Sequence, residues 1–505
     1  MAASLMFVPW LGPGSEAQNW AARLNPTGAE LEADLVIVGG GLGGCAAALA
    51  AARNGLRVIM TEETDWIGGQ LTQQAVSLPD ENEWIETAGG TLSYLNLRKR
   101  AREFYFRNYP LTRTAKANVL LNPGNCWVSR LGCEPRVWLS VLYEMLMPFL
   151  GEGRLHIFLR HKAVEAETVG DRVKSVRVSN LETGNELVLR AAYFADATEM
   201  GDLLPLARAE YIVGAESKKD TGEPHARQIA DPHDLQSFTQ CFAMDYLPGE
   251  DHTIARPPDY ADWRDAMTMT FWGKFPLLSF DDPDSKKIGF SPDARNGFWS
   301  YRRIADRKNF LPGTYRSDIT IVNWPQNDFA SGSICEVSLD TAAKNLARSK
   351  QLSLSLLYWL QTDAPRPDGG TGWRGLRLRP DIVGTEDGLA RYPYIREGRR
   401  IQAEYTVVEQ DVSMTWRLKE MGLKGDQARA KEFADSVGIG SYPMDIHSST
   451  GGDLLRLGHT LPFQIPLGAL IPRRINNLLP ACKNIGVTHL TNGCFRLHPI
   501  EWNIG

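Results

Sequence analysis

Asp34-Leu35-Val36-Ile37-Val38-Gly39-Gly40-Gly41-Leu42-Gly43-Gly44 is the stretch that decides how this chain folds. Its first five residues read as a buried strand. The glycines then turn the chain into an alanine-rich helix from Cys45 to Asn54. A second apolar strand follows, Arg57-Val58-Ile59-Met60-Thr61, and ends at Glu62. Glycines 39, 41 and 44 in a strand–turn–helix–strand setting form the fingerprint of a dinucleotide-binding unit. Gly39 permits the turn, Gly41 lets backbone approach a pyrophosphate, and Gly44 lets the helix close on the sheet. The phosphates then meet the unpaired N–H groups and positive dipole end of the helix. Glu62 stands where an acid accepts hydrogen bonds from a ribose diol.

The residues that follow favour FAD over NAD. Trp66-Ile67-Gly68-Gly69-Gln70 supplies a second glycine loop able to lie along a long, bent cofactor. A third apolar strand, Tyr193-Phe194-Ala195, runs into Asp196-Ala197-Thr198, whose small residues leave room for the same ligand. Asp368-Gly369-Gly370-Thr371-Gly372-Trp373-Arg374-Gly375 formally repeats the glycine spacing. It follows Pro365 and Pro367 instead of a strand, so no second unit for NAD(P)H is expected.

With 505 residues the chain is long enough for two or three lobes, and its 43% hydrophobic and 23% charged residues are ordinary for a globular protein. A net charge of −5 gives no nucleic-acid footprint. The seven cysteines form no CxxC pair. Cys126, Cys133, Cys482 and Cys494 read as buried or site-lining thiols, with no disulfide framework, redox pair or metal site. Near the N-terminus, Ser4 to Leu11 is apolar, but no Lys or Arg precedes it, so it makes a poor secretory signal. No run is long enough to span a membrane. A cytoplasmic protein with an arm packed on its body is expected.

Further along, 76–95 reads as surface loops and 97–108 as a charged helix whose Lys99, Arg100 and Arg102 face solvent. Pro135 to Met147 reads as a buried helix that Pro148 ends. Leu155 to Glu165 and Arg172 to Leu189 alternate like a small antiparallel sheet, turning at Gly170-Asp171. From Tyr211 to about Thr385, aromatics and prolines crowd together, including Trp263, Phe271-Trp272, Phe298-Trp299 and Trp324-Pro325. Within this region Lys344 to Gln361 reads as a helix, and Leu478 to Cys482 reads as a late strand. The resulting fold class is α/β, a Rossmann-like FAD-binding domain with an inserted mixed α+β substrate domain. The expected limits are 1–33 for the N-terminal arm, 34–210 for the first FAD-binding part, 211–385 for the substrate or cap domain, and 386–505 for the C-terminal FAD-binding part.

From Asp34 onward the chain resembles the FAD-dependent oxidoreductase family, with an FAD domain of the glutathione-reductase-like class. That family includes bacterial flavoproteins labelled xanthan lyases. The resemblance rests on several motifs in order: Thr64-Asp65-Trp66-Ile67-Gly68-Gly69-Gln70-Leu71-Thr72, Cys126-Trp127-Val128-Ser129-Arg130-Leu131, Asp196-Ala197-Thr198-Glu199-Met200-Gly201-Asp202 and Asn323-Trp324-Pro325-Gln326-Asn327-Asp328. It continues through Pro393-Tyr394-Ile395-Arg396-Glu397-Gly398-Arg399-Arg400-Ile401, Asp435-Ser436-Val437-Gly438-Ile439-Gly440 and Arg496-Leu497-His498-Pro499. It implies non-covalently bound FAD, held by Gly39, Gly41, Gly43, Gly44, Glu62, Glu63, Gly69, Gln70, Val164, Ala197, Asn484 and Asn492. Two departures stand out. Glu199 follows Ala-Thr where relatives often carry Gly. The sequence also stops at Glu501-Trp502-Asn503-Ile504-Gly505, where the family begins a last helix beside the flavin, so that helix is either cut short or absent.

Flavin oxidation needs a carbon facing N5, a base for the substrate proton and a positive group for the reduced ring. The C-terminal segment is expected to return to the flavin. His489 and His498 are therefore the candidate bases, and Arg496 the candidate positive group or carboxylate anchor. Each also has a purely structural reading. Trp324, Asn327, Asp328, Arg396 and Cys126 are the candidate substrate contacts. Asp445 and His447 are a looser base–orienter pair. Arg396, Arg399 and Arg400 share a face if helical, although ion pairing between lobes is the simpler reading. The expected activity is oxidation or desaturation of a small polar molecule by hydride transfer to N5. The alternatives are a flavin-containing reductase or electron-transfer subunit using NAD(P)H or a protein partner, and a non-catalytic binding module.

Overall fold

A computed structural model describes residues 29–270, 273–281, 288–292, 297–422, 424–452 and 455–505. Most of the expected N-terminal arm (1–28) and the Phe271-Trp272 pair lie outside the described residues.

The opening strand, β1 (Ala29–Val38), begins five residues before Asp34, and its last three residues are at most 1% exposed. The glycine turn leads into α1 (Leu42–Arg53) and then β2 (Val58–Glu62), which pairs parallel with β1. Next come α2 (Leu92–Asn108) and α3 (Pro135–Gly151), then β3 (Leu155–Leu159), parallel to β2. Pro148 does not end α3, which runs one more turn to Gly151. The segment 155–189 divides differently from the expected small sheet, because Leu155–Leu159 joins the parallel layer. The antiparallel meander is β4 (His161–Val169), β5 (Arg172–Asn180) and β6 (Glu186–Asp196), with Gly170 at φ +58° in its first turn.

The main sheet has the order β3-β2-β1-β6-β5-β4. β6 is long enough to do two jobs. Its first half pairs antiparallel with β5, while Phe194 to Asp196 pairs parallel with the late strand β11 (Leu478–Pro480). Strands from both ends of the chain therefore meet beside β1. The turn after β1 opens where the path from β1 leads to β2 on one side and β6 on the other. In open α/β sheets such a switch point forms a ligand crevice at the strands' carboxyl ends.

Two expectations about exposure are corrected. Val76, Ser77, Leu78 and Asp80 are buried, not surface loop. Arg102 does not face solvent: it pairs with Glu86, while its neighbour Arg98 pairs with Glu81 and Glu86. In α2 the buried turn-to-turn positions carry these arginines because acidic residues from 81–86 fold over them.

The region from 211 onward contains a four-stranded antiparallel sheet. Its strands, β7 (Phe242–Tyr246), β8 (Arg303–Ala305), β9 (Ile319–Val322) and β10 (Leu376–Leu378), have the order β8-β9-β7-β10. α4 (Leu339–Thr362) packs with them through Leu356, Leu357, Trp359 and Leu360, against Phe298, Trp299, Trp324 and Trp373. The second glycine-rich run lies after α4 as a turn, with Gly369 and Gly372 at positive φ.

The chain closes with α5 (His489–Phe495) and α6 (His498–Ile504). α6 packs on the first turn of α1. A Cβ on Gly43 would lie 1.8 Å from the Ala481 carbonyl oxygen, and one on Gly505 would lie 1.9 Å from the Gly43 oxygen. Only small residues in α1 permit that approach. Among the described residues, no helix is long and apolar enough to cross a membrane.

Candidate functional site

The glycine turn lies in a cleft lined by Gly39, Gly41, Thr61, Glu62, Glu63, Lys162, Ala163, Ala197, Thr198, Glu199 and Asp202. Gly39 has φ +97°, and a Cβ there would meet the Ala197 carbonyl carbon at 2.4 Å. Glu62 is buried at the end of β2. Its Oε2 accepts the Gly40 N–H at 3.0 Å and its Oε1 accepts the Thr64 N–H at 2.7 Å. Burial pushes its carboxyl up to about 7, against those hydrogen bonds. Glu63 receives Lys162 Nζ at 2.9 Å across the cleft. Val164 is 43% exposed and next to the lining residue Ala163.

The floor of the turn is already engaged by an anion from the protein itself. Glu501 Oε1 accepts the Gly43 N–H at 3.1 Å and the Cys482 thiol at 3.2 Å, and Glu501 Oε2 accepts from Gln70 Nε2. Glu199 lies in the concavity between the two glycine loops. A Cβ on Gly69 would fall 2.6 Å from Glu199 Oε1, and one on Gly41 would fall 3.1 Å from it. Glu199 Oε2 pairs with buried Lys483. Burial pushes the Glu501 carboxyl up, and the Glu199 charge pushes it further. A diphosphate fits this cradle: backbone N–H groups, a helix N-terminus and glycines without Cβ are present, and the Glu501 carboxylate occupies a phosphate-like position on them. Seating one requires Glu501 to be neutral or turned aside.

Gln70 connects this cleft to a second cavity, because its Nε2 also donates to the Arg496 carbonyl at 3.1 Å. The Arg496 guanidinium lines a cavity of about 520 Å³, within the usual range for small-molecule sites. Asp80, Trp127, Phe298, Tyr301, Arg302, Asn323, Tyr394, Arg396, Tyr442, Asp445, His447 and His459 share its wall. Each arginine has a carboxylate neighbour. Arg302 Nη2 meets Asp80 at 3.3 Å, Arg396 Nη2 meets Asp328 at 2.9 Å, and Arg496 Nη2 meets Asp445 at 3.3 Å. Arg496 Nη1 also donates to the Tyr394 hydroxyl at 2.7 Å. Arg302 Nε and Nη1, Arg396 Nε, Arg496 Nε and Asn323 Oδ1 are buried without a hydrogen-bond partner. Leaving such groups unpaired costs about 1–3 kcal/mol each.

His447 carries the arrangement best suited to proton transfer. Its Nδ1 lies 2.6 Å from Asp328 Oδ2 on the buried side, and its Nε2 lies 3.2 Å from Asp445 Oδ2 at the cavity wall. Burial pushes the Asp328 carboxyl up, but Arg396 and His447 beside it prevail and hold it down at about 2. Asp328 therefore remains a carboxylate throughout the working range.

The two candidate bases lie elsewhere. His498 Nδ1 accepts the Asp80 N–H at 3.0 Å and its Nε2 faces the Val76 carbonyl at 2.9 Å. Both nitrogens are thus committed to backbone, and burial lowers its pKa to about 4. His489 Nδ1 pairs with Glu397 at 2.9 Å, away from the cavity wall, beside Glu216 and Glu223 in a small separate recess. Among the expected substrate contacts, Arg396 lines the cavity. Trp324 and Asn327 lie behind the wall in the aromatic and hydrogen-bonded core, and Cys126 is buried with its thiol pushed up to about 11. Asn484 donates to the Asp196 carbonyl at 3.2 Å, and Asn492 accepts from Gln236 at 3.1 Å. Arg396, Arg399 and Arg400 are not helical. Arg399 bridges Asp202 and Glu336, while Arg400 joins Glu216 and Glu397. Arg302, Asp80, Tyr301 and Tyr442 carried no sequence signal beyond an aromatic next to an arginine or a proline next to an aspartate.

The profile of the family described as FAD dependent oxidoreductase matches residues 34–505. The chain belongs to the FAD-dependent oxidoreductase family. Its members depend on FAD, so this protein is an FAD-binding oxidoreductase. No curated protein matches the sequence. Solved structures with similarity include L-proline dehydrogenase from P. horikoshii, at 16% identity over 37% of this chain and 24% of that one, with a TM-score of 0.19. Another is p-nitrophenol 4-monooxygenase PnpA from Pseudomonas putida DLL-E4, at 15% identity over 43% and 48%, with a TM-score of 0.26. A third is adenylylsulfate reductase from the hyperthermophilic Archaeoglobus fulgidus, at 14% identity over 52% and 47%, with a TM-score of 0.27. The matched part spans less than half of each of those chains, and likenesses this low set neither substrate nor reaction.

Proposed function

We propose that this oxidoreductase oxidises or desaturates a small polar organic molecule in the cavity beside Arg496. When bound, FAD supplies the two-electron acceptor, whose N5 takes a hydride. Gly39, Gly41, Gly43 and Gly44 would hold its diphosphate and Glu62 its ribose, in the part formed by 34–210 and 386–505. The 386–505 part supplies most of the cavity wall and the 211–385 part a smaller share. Once substrate displaces the Asp445 carboxylate from it, Nε2 of neutral His447 takes the substrate proton, and Asp328 orients the ring through Nδ1. Aromatic walls limit water entry. Arg496 offers positive charge next to the Gln70 loop. Seven free, buried cysteines support residence in a reducing compartment such as the cytoplasm.

The observation that carries this reading is the wall that joins Arg496 to the His447–Asp328 pair. The test is anaerobic: FAD-loaded protein is mixed with alcohols, amines, sugars and hydroxy acids, and flavin absorbance is followed. Bleaching by one class without NAD(P)H is expected. Bleaching by NAD(P)H alone would overturn it in favour of a reductase or monooxygenase.

A further inference from the structure

We propose that the cavity selects a singly charged, ring-bearing carboxylic acid, with Arg302 as the carboxylate anchor. The proposal rests on the reading of this cavity as the substrate site, and it names what that site accepts.

The hydrogen-bonding inventory of the wall is lopsided. Its unpartnered buried atoms are N–H donors on Arg302 (two nitrogens), Arg396 and Arg496, set against one amide oxygen, Asn323 Oδ1. A ligand that satisfies them must be rich in acceptors, and an ionised carboxylate is acceptor-only. Arg302 is the most available of the three. It is 6% exposed, its Nε and Nη1 have no partner among the described residues, and it makes one ion pair, with Asp80. Arg396 and Arg496 are each held by several hydrogen bonds, leaving one nitrogen apiece.

The charge of the wall limits the anion. Asp80 and Asp445 also line the cavity, and Asp328 stands behind Arg396 and His447. A dianion such as a phosphate monoester would meet those carboxylates at close range, whereas a monoanion replaces hydration at Arg302 with about half that repulsion. The remaining surface is aromatic. Trp127 and Tyr301 lie tilted at 43° with centroids 4.5 Å apart, the Arg302 guanidinium lies 5.0 Å from the Tyr301 ring, and Phe298, Tyr394 and Tyr442 continue the wall. Flat faces of this kind suit a ring attached to the carboxylate.

The test uses the FAD-loaded protein with benzoate, its neutral isostere benzamide, and phenyl phosphate, each titrated by calorimetry with the flavin spectrum recorded in parallel. Benzoate is expected to bind on the order of tenfold to a hundredfold more tightly than benzamide, the range of a charge-assisted hydrogen-bond set, and more tightly than phenyl phosphate. Arg302→Gln is expected to abolish the benzoate preference, and Arg302→Lys to restore part of it. Equal binding of benzoate and benzamide by the wild-type protein would overturn the proposal. So would tighter binding of phenyl phosphate, or a preference that survives in a folded Arg302→Gln protein. An Arg302-dependent benzoate preference with no change in the flavin spectrum and no turnover of any acid would uphold the anion site and refute the substrate-site reading.

Discussion

Glu501 places its carboxylate on the Gly43 N–H, at 3.1 Å, across almost the whole length of the chain. The contact closes the C-terminal helix onto the first turn of α1, where the proposed site would seat a cofactor diphosphate. A diphosphate seated there would compete with this carboxylate for the same backbone donors, and Glu199 adds a second negative group nearby. Glu501→Gln keeps the shape and removes the charge. It is expected to tighten FAD binding by about tenfold, or ~1.4 kcal/mol, measured by fluorescence quenching of FAD titrated with apoprotein. The sign with pH follows from the raised Glu501 pKa. The neutral acid persists above the ordinary value of 4.5, and ionisation on further pH increase restores the repulsion. Wild-type affinity for FAD should therefore fall as pH rises above that range, while the Gln variant changes less. The groups facing this carboxyl are Glu199, Lys483, Cys482 and Cys45.

The His447–Asp328 pair separates proton transfer from scaffolding. His447→Gln should lower kcat by about a hundredfold to ten-thousandfold, the usual contribution of a positioned general base. Asp328→Asn should give a smaller loss in kcat, because the ring remains but its orientation and charge partner change. Asp328 titrates at about 2, so no limb of the activity–pH profile between 5 and 9 should disappear in the Asn variant because of Asp328's own ionisation. His498→Gln should act differently. Its two backbone contacts are lost, the melting temperature falls, and kcat per folded molecule stays near wild type.

The glycine turn proposed to hold the cofactor was legible because it is local. Gly39, Gly41 and Gly44 must be adjacent in sequence to make one turn, and Glu62 follows as the end of the next strand. The proposed substrate cavity is built from distant pieces. Asp80, Arg302, Asp445 and Arg496 come from a loop, a helix end, a short strand and another helix end, and no spacing links them. Asp328 and His447 were visible singly, but their 2.6 Å contact depends on how the short strand Asp328–Phe329 packs against the residue that follows the strand Asp445–Ile446. His489 and His498 were attractive for their position near the end of the chain. Burial and the backbone partners of His498, which no sequence period encodes, decided where they went. The charged face of α2 failed for a related reason: helical spacing identifies a stripe but not the acidic loop that covers it.

That loop makes a stability prediction. Arg98 is 1% exposed and donates to Glu81 at 2.9 Å, while also reaching Glu86. Arg98→Met removes the cation but leaves the Glu81 carboxyl buried. Breaking one side of a buried pair typically costs about 3–5 kcal/mol, and a urea midpoint measurement should show a loss of that size. Burial already pushes Glu81 up to about 7 despite Arg98. The loss in Arg98→Met should accordingly be larger at pH 8 than at pH 5, where the carboxyl can take a proton. Arg98→Met combined with Glu81→Gln should recover part of the stability.

Glu62 provides a pH test that does not require turnover. In the folded protein burial holds its carboxyl at about 7, against an ordinary value of 4.5. Folding thus favours the protonated form. The contribution is fully present below pH 4.5, where both folded and unfolded chains are protonated, and it is lost as pH rises to about 7, because the unfolded chain gains by ionising first. Glu62→Gln mimics the neutral acid at every pH. The melting temperature of the apoprotein relative to this variant should therefore decline from about pH 4.5 to about 7 and level off beyond. Asp196 and Glu223 share the same direction, also lying near 7, so the wild-type curve alone would mix several groups, and the difference between the two proteins isolates Glu62. A flat difference across that window would mean that the Gly40 and Thr64 N–H groups hold the carboxylate ionised, and that the acid reaches a ribose as an anion.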